Sequence, residues 1–360
     1  MVAPVVLFSP MAIGQALGCP PDAPPHSGGT VIASIEFTNF KVLRAARIEL
    51  GPFNLIIGPN GSGKTSVLLA LQRLRQFAAR PPVFGPPPAG HRAEGGLLRF
   101  RFGAPFADIE ALLECAPDGL GRTLRIDGPG DLPVRWSQLV ARLTTLRVVA
   151  LEQAALARTS PAGAPILLGD DGTNLPAALF RLQREDRDSY ERVVAEFRRI
   201  LPEYRSVGAE AASDGSRRLY AEIEGEERRL GAEDLSQGTL VLIGLLVLTQ
   251  ARPMPAVLCL EEIDRGIHPR LLREIRDLLY RMSYPEGGAA PTQILTTTHS
   301  PYLLDLFREQ LEEVVIAQKR GAEATFERLS DREDLRDAIG SASLGDLWYS
   351  GILGGIPDER

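Results

Sequence analysis

Hydrophobic residues beyond residue 30 follow two alternating patterns, short apolar runs and helical spacings. Apolar runs bounded by Gly and Pro predict strands, whereas Val67, Leu68, Leu71 and Leu74 recur at the spacing of an amphipathic helix. The predicted strands are 31–37, 46–50, 53–57, 97–102, 120–126, 134–136, 217–224, 256–260 and 293–297. The predicted helices begin after Lys64 and continue with 106–115, 188–201, 239–250, 270–282 and 301–307. This alternation predicts an α/β fold with a mainly parallel sheet flanked by helices on both faces.

The same patterns divide the chain into four parts. Residues 1–30, rich in Pro and Gly toward their end, predict a flexible N-terminal lead-in. The strand and helix alternation of 31–74 resumes at 233–320, which predicts one head domain made of these two halves. Between them, 75–232 predicts an insertion or arm subdomain of α+β type, and 321–360 predicts a tail that packs on the head.

Composition narrows the class of protein. With 44% hydrophobic and 24% charged residues and a net charge of −6, the chain is typical of a globular protein and not of a uniformly basic nucleic-acid coat. Cys19, Cys115 and Cys259 are far apart and form no C-x-x-C pair, which favours a reduced, cytoplasmic setting. No window reaches the roughly 18 apolar residues of a membrane span, so no membrane association is expected.

A glycine-rich motif follows the strand predicted at 53–57. Gly58 to Thr65 matches G-x-x-x-x-G-K-[ST] and opens a helix, which is the context of a phosphate-binding loop. Backbone N–H groups and a helix N-terminus favour an anion, so the motif predicts ATP binding. Lys64 is expected to reach the terminal phosphates, and Thr65 to bind Mg²⁺. The predicted nucleotide-binding residues are Asn60, Gly61, Ser62, Gly63, Lys64 and Thr65.

Two further groups lie at the ends of predicted strands. Glu261 and Glu262 end the strand at 256–260, and ligands in such sheets bind at the carboxyl ends of strands. Glu261 is therefore expected to hold Mg²⁺ together with Thr65, and Glu262 to orient or deprotonate the attacking water. His299 ends the next strand, where its imidazole is expected to contact the γ-phosphate.

Together these motifs resemble the RecF/OLD/SMC-type ABC ATPases, AAA-family P-loop proteins, here without a TOPRIM nuclease domain. The resemblance covers roughly 31–74 and 233–306, about a third of the chain, and includes the Ile35 to Lys41 opening. Its ordered motifs are Pro59 to Thr65, Leu235 to Thr239, Glu261 to Asp264 with His268 and Pro269, and Thr298 to Pro301. The resemblance implies an ABC-type P-loop ATPase head.

The resemblance also implies how the head works. Ser236 and Gly238 would form a signature loop that contacts the nucleotide bound to a second copy, so that a homodimer encloses two ATPs. Taken without the family, Ser236 is simply a good helix N-cap, and both interpretations can hold because a helix N-terminus also binds anions. The apolar, glycine-rich tail resembles that of stand-alone OLD-like ATPases, which act with a separately encoded effector.

Two departures from the family affect this comparison. Ile263 stands where the family usually has Pro, which should alter the loop after Glu262 without removing its carboxylate. The water-sensing Gln of ABC proteins is not fixed by a motif, and Gln138 and Gln153 both stay open as candidates.

The leading hypothesis is an ATP-hydrolysing switch that couples nucleotide state to DNA or to a nuclease-like effector, in DNA repair or anti-phage defence. The alternative is a nucleotide-gated protein-binding module with negligible turnover. A transporter subunit is disfavoured because the motif variants here, Ser-Gln-Gly-Thr, Glu-Glu and His-Ser-Pro, differ from those of transporter ATPases. The absence of a nuclease-type acidic cluster after Glu262 predicts no nuclease activity.

Overall fold

A computed structural model describes residues 29–87, 95–165, 167–320 and 323–354. The predicted lead-in 1–30, apart from its last two residues, and Cys19 with it lie outside these ranges. In the described ranges no helix combines the length and apolar character needed to cross a membrane.

Strands and helices alternate through most of the chain. The strands are β1 (Ile32–Phe40), β2 (Leu43–Glu49), β3 (Phe53–Ile57), β4 (Val83–Phe84), β5 (Leu97–Phe102), β6 (Glu110–Cys115), β7 (Gly121–Asp127), β8 (Arg147–Val149), β9 (Tyr204–Ala211), β10 (Arg217–Ile223), β11 (Arg229–Gly231), β12 (Val257–Leu260), β13 (Gln293–Thr298), β14 (Val314–Arg320) and β15 (Glu323–Arg328). The helices are α1 (Lys64–Ala78), α2 (Leu132–Leu143), α3 (Gln153–Leu156), α4 (Leu175–Glu185), α5 (Arg187–Ile200), α6 (Gln237–Leu248), α7 (Pro269–Ser283), α8 (Pro301–Asp305), α9 (Arg336–Ser341) and α10 (Leu344–Tyr349).

The central sheet has the order β15-β14-β3-β13-β12-β8. Its strands pair in parallel except for β15, which returns antiparallel to β14. The predicted parallel sheet is therefore confirmed. Because parallel strands end at one edge, the residues that follow β3, β8, β12 and β13 are brought together there.

Hydrophobic cores cover both faces of this sheet. Alternate residues of β3 divide between them: Phe53, Leu55 and Ile57 join the core with α5, α6 and α7. Ile56 points the opposite way, into a core with α1 and the strands β1, β5 and β6. The period of two along β3 thus buries one strand on both sides, which explains its unbroken apolar sequence.

The second core lies against a six-stranded sheet of order β2-β1-β5-β6-β7-β4. Two strands of the predicted 75–232 insertion belong to the sheets of the head. β5 pairs antiparallel with β1, and β8 forms the edge of the central sheet beside β12. Beyond these strands, the small sheet β11-β10-β9 packs on α4 and α5. The domain limits stay a prediction, and side chains of α4, α5, β9 and β10 share the core with β3, α6 and α7.

Two predicted elements are wrong. The segment predicted as a helix at 106–115 contains β6, because pairing on both sides with β5 and β7 outweighs the helical preference of its Glu, Ala and Leu residues. The strand predicted at 134–136 lies inside α2, where Leu132, Trp136, Leu139 and Leu143 are buried at helical spacing.

Helix α6 is buried along almost its whole length. Every residue from Gly238 to Leu248 is buried, so the helix has no polar face. Each buried Leu or Ile side chain contributes roughly 1.5–3 kcal/mol of hydrophobic stabilisation. The helix that begins after Ser236 is consequently a fixed part of the core.

Residues 323–354 also pack on the rest of the described chain. β15 lies in the central sheet, and α10 contacts α8. The N–H of Gly345 donates to Asp305 Oδ1 at 2.7 Å, and Leu344 and Leu353 are fully buried.

Candidate functional site

The loop between β3 and α1 is shaped by glycines. Gly61 and Gly63 have φ angles of 76° and 102°, in the left-handed region that favours glycine. A side chain at Gly63 would collide with Leu43 of β2. The loop therefore turns tightly into the N-terminus of α1, an arrangement that binds anions.

Lys64 folds back over this loop. Its Nζ donates to the carbonyl oxygens of Gly58 at 2.7 Å and Pro59 at 3.0 Å. Burial lowers the pKa of Lys64, and the nearby carboxylates of Glu262 and Glu261 act in the opposite direction. The ammonium group is thus held at the loop, where it can reach a phosphate by exchanging carbonyl partners for phosphate oxygens.

Ser62 supplies the clearest sign that the loop fits a polar ligand. Its side chain is fully buried, and its Oγ has no hydrogen-bond partner among the described residues. A buried hydroxyl without a partner is costly, and native proteins normally satisfy such groups. A phosphate oxygen enclosed by the loop would supply an acceptor.

Two oxygen ligands lie beside the loop. Thr65 Oγ1 donates to Glu261 Oε1 at 2.6 Å, which joins the start of α1 to the end of β12. A hydroxyl and a carboxylate suit Mg²⁺, which takes oxygen ligands and usually keeps water and phosphate among them. Within the described ranges no group of three or more His, Cys, Asp or Glu side chains could hold a metal ion, so a cation here needs nucleotide oxygens or water.

Glu262 has an unusual backbone. Its φ is 47°, which places a non-glycine residue in the left-handed region. Its side chain is 43% exposed and lies 3.8 Å from the guanidinium of Arg265. The carboxylate therefore faces the open cleft and stays accessible to water.

His299 follows β13 and is half-buried. Burial lowers the pKa of His299, and Lys64 lowers it further, while Glu262 and Asp264 oppose this shift. A neutral imidazole near pH 7 can accept or donate a hydrogen bond without adding charge.

Most of the predicted site residues line one cleft of about 200 Å³. Its lining comprises Val42, Asn60, Gly61, Gly63, Lys64, Thr65, Ser66, Glu261, Glu262, Thr297 and His299. Val42, Ser66 and Thr297 were not predicted. Ser66 directly follows the motif, whereas no sequence pattern marks Val42, which reaches the cleft from the turn between β1 and β2.

The predicted signature residues, Ser236 and Gly238, lie elsewhere. Ser236 is exposed and caps α6, since its Oγ accepts from the N–H of Thr239 at 3.1 Å. A side chain at Gly238 would meet Leu271 and the backbone of Gly266 and Ile267, none of which lines the cleft. The structure therefore does not bring Ser236 and Gly238 to the cleft of their own chain.

The two candidate glutamines occupy different places. Gln153 begins α3, four residues after β8, and β8 pairs with β12 at the edge that carries Glu261. Gln138 lies on the exposed face of α2, which packs against α1 and β7. Neither glutamine lines the cleft, so both stay open as candidates.

Two family models match the chain. Residues 147–305 match the family described as "AAA domain, putative AbiEii toxin, Type IV TA system". Residues 31–83 match the family described as "AAA ATPase domain". No match was found among curated proteins.

Solved structures of Smc heads share the fold. One is an Smc head bound to the C-winged helix domain of ScpA, with a TM-score of 0.56 and 15% identity over 85% of this chain and 99% of that chain. Another is a Pyrococcus furiosus Smc head with an extended coiled coil, bound to the C-terminal domain of ScpA. It gives a TM-score of 0.55 and 14% identity over 87% of this chain and all of that chain.

The phosphate-binding loop, the sheet order and the family matches define a P-loop ATPase, which binds and hydrolyses ATP. Its fold is that of the Smc ATPase heads compared above.

Proposed function

We propose that the chain is an ATP-driven switch of the RecF/OLD type that closes as a homodimer around two ATPs. In this proposal the nucleotide state is coupled to DNA or to a separately encoded, nuclease-like effector in the cytoplasm. The process served is DNA repair or anti-phage defence.

Each residue of the cleft has a proposed role. Lys64 and the loop N–H groups bind the phosphates, and Thr65 and Glu261 hold Mg²⁺, which would neutralise phosphate charge. Glu262 accepts a proton from the attacking water, and its exposure to the cleft supports this role. His299 hydrogen-bonds the terminal phosphate.

One observation carries the dimer proposal. A capped helix N-terminus at Ser236 is an anion-binding feature, yet it is exposed and lies outside the cleft of its own chain. A second copy could present its Ser236 and Gly238 to the phosphate bound by the first copy. Two copies related by a twofold axis would complete two such sites at once.

The defence part of the proposal is supported by the description of the matched family, which names a toxin of a Type IV TA system. The DNA part of the proposal rests on the resemblance of the motifs to those of RecF-type proteins.

The dimer is tested with Glu262→Gln, which removes the proposed base and keeps the side-chain shape. We expect this variant to form a dimer with ATP and Mg²⁺ and to stay monomeric without ATP, as measured by light scattering. Glu309→Gln, at an exposed position away from the cleft, is the matched control and should turn over ATP normally. An unchanged monomer mass for Glu262→Gln with ATP and Mg²⁺ would contradict the proposal.

Coupling to DNA is tested separately by ATP turnover with and without linear duplex DNA. Stimulation in the unmodified protein, absent from Glu262→Gln, would support a DNA-responsive switch. Turnover that is indifferent to DNA would instead favour gating by a protein effector.

A further inference from the structure

Three consecutive threonines end β13, and their buried hydroxyl groups have different surroundings. Thr296 Oγ1 has no hydrogen-bond partner among the described residues. Thr298 Oγ1 donates to Asp264 Oδ1 at 2.6 Å. Thr297 Oγ1 accepts from the backbone N–H of Glu262 at 2.9 Å. Of the three hydroxyls, the middle one therefore contacts the residue proposed as the base.

The backbone of Glu262 needs such support. Its φ of 47° is strained for a residue with a Cβ atom, and such a conformation persists only where neighbouring groups fix it. The N–H of Arg265 donates to the Glu262 carbonyl at 2.9 Å, which closes the turn on one side. The other side depends on β13.

Thr297 holds that side with two acceptors. The Thr297 hydroxyl accepts from the N–H of Glu262, and the Thr297 backbone carbonyl accepts from the N–H of Ile263 at 3.2 Å. Proline has no N–H, so a chain with the usual family Pro at position 263 could not make this second bond. The departure at Ile263 thus adds a contact that ties the turn to Thr297.

We propose that Thr297 is a positioning residue that fixes Glu262 in its left-handed conformation and so directs the carboxylate into the cleft. This inference rests on the proposed role of Glu262 as the base. Thr297 is 1% exposed and lines the cleft, whereas Thr296, one residue earlier, does not. Loss of the Thr297 hydroxyl should therefore affect the chemical step more than nucleotide binding.

The test compares near-isosteric variants by kcat, KM and ATP affinity. Thr297→Val keeps the side-chain shape and removes the acceptor, and we expect kcat to fall by roughly tenfold to a hundredfold while the affinity for ATP changes little. Thr297→Ser keeps the hydroxyl and should restore most of the rate. Thr296→Val, which removes a hydroxyl without a partner, is the matched control and should leave turnover unchanged.

A double variant tests whether Thr297 acts through Glu262. If it does, Thr297→Val combined with Glu262→Gln should be no slower than Glu262→Gln alone, because coupled residues are not additive. An additive loss of kcat in the double variant would overturn the positioning role of Thr297 and leave the proposed role of Glu262 intact. Normal kcat in Thr297→Val while Glu262→Gln is inactive would do the same. Normal turnover by Glu262→Gln would overturn the proposed function as well. Should Thr297→Val fail to fold, the smaller Thr297→Ala is measured by the same criteria.

Discussion

Gln293, the first residue of β13, joins the two sheets of the head. Its side chain is fully buried. Its Oε1 accepts from the N–H groups of Val31 at 3.0 Å and Ile32 at 2.9 Å. Its Nε2 donates to the carbonyl oxygens of Ile32 at 2.8 Å and Gly51 at 2.9 Å. One amide thus ties the start of β1 to the residues that precede β3.

Gln293→Leu should destabilise the protein through the groups it leaves behind. Gly51 O keeps a second donor, since Asn54 Nδ2 donates to it at 2.8 Å. The N–H groups of Val31 and Ile32 lose their acceptor, and each unsatisfied buried group costs about 1–3 kcal/mol. The free energy of unfolding should therefore fall by about 2–6 kcal/mol, a large part of the usual stability of a domain.

Urea unfolding followed by tryptophan fluorescence measures this loss, since Trp136 is buried against Phe102 near β1. Gln138→Leu, at an exposed position on α2, is the control and should change the stability by less than about 0.5 kcal/mol. A loss below about 1 kcal/mol for Gln293→Leu would refute the reasoning, because it would mean that the two N–H groups find other partners.

Three further outcomes are expected. In Gly63→Ala, a side chain at a φ of 102° would also collide with Leu43. We expect this variant to lose binding of a fluorescent ATP analogue, and retained affinity would contradict the loop geometry. Burial raises the pKa of Glu313 from 4.5 to about 8 despite Arg328 and Arg276, and the hydroxyls of Tyr280 and Tyr284 contact its carboxyl group. The folded state then keeps a proton that the unfolded state releases, so the free energy of unfolding should fall as the pH rises from about 4.5 to about 8. Urea unfolding at pH 5, 6.5 and 8 measures how steeply the free energy of unfolding falls with pH. Glu313→Gln should make this fall less steep, and an equal fall in both proteins would count against the role of Glu313. Burial raises the pKa of Cys115 to about 11 and raises that of Cys259 more strongly. Both thiols should therefore react with a thiol reagent only after unfolding. Fast reaction of the native protein at either position would contradict this burial.

Much of the fold follows from local patterns in the sequence. The strand at 53–57 has the predicted limits, because a strand buried on both faces is apolar throughout. The prediction did not include β14 and β15, where polar residues such as Gln318 and Lys319 interrupt the apolar run. The identity of β6 could not be predicted either, since its residues favour a helix and only pairing with β5 and β7 makes it a strand.

The candidate site also has a part that the sequence identifies and a part that only the structure shows. Gly58 to Thr65 is contiguous, and a local motif carries its chemistry, so the sequence identifies it. The contact between Thr297 and Glu262 joins residues 35 positions apart, and no spacing rule predicts it. The roles of Thr297 and Glu262 stay predictions, although both residues line the cleft.

The buried helix α6 has a mechanical consequence. A close-packed core transmits displacement because it has little room to deform. Since α6 is surrounded by side chains from Gly238 to Leu248, Ser236 at its start cannot be drawn toward a phosphate independently of the rest of the head. A force applied at Ser236 would therefore move the whole head, and the proposed effector would sense a rotation of the head and not a loop movement.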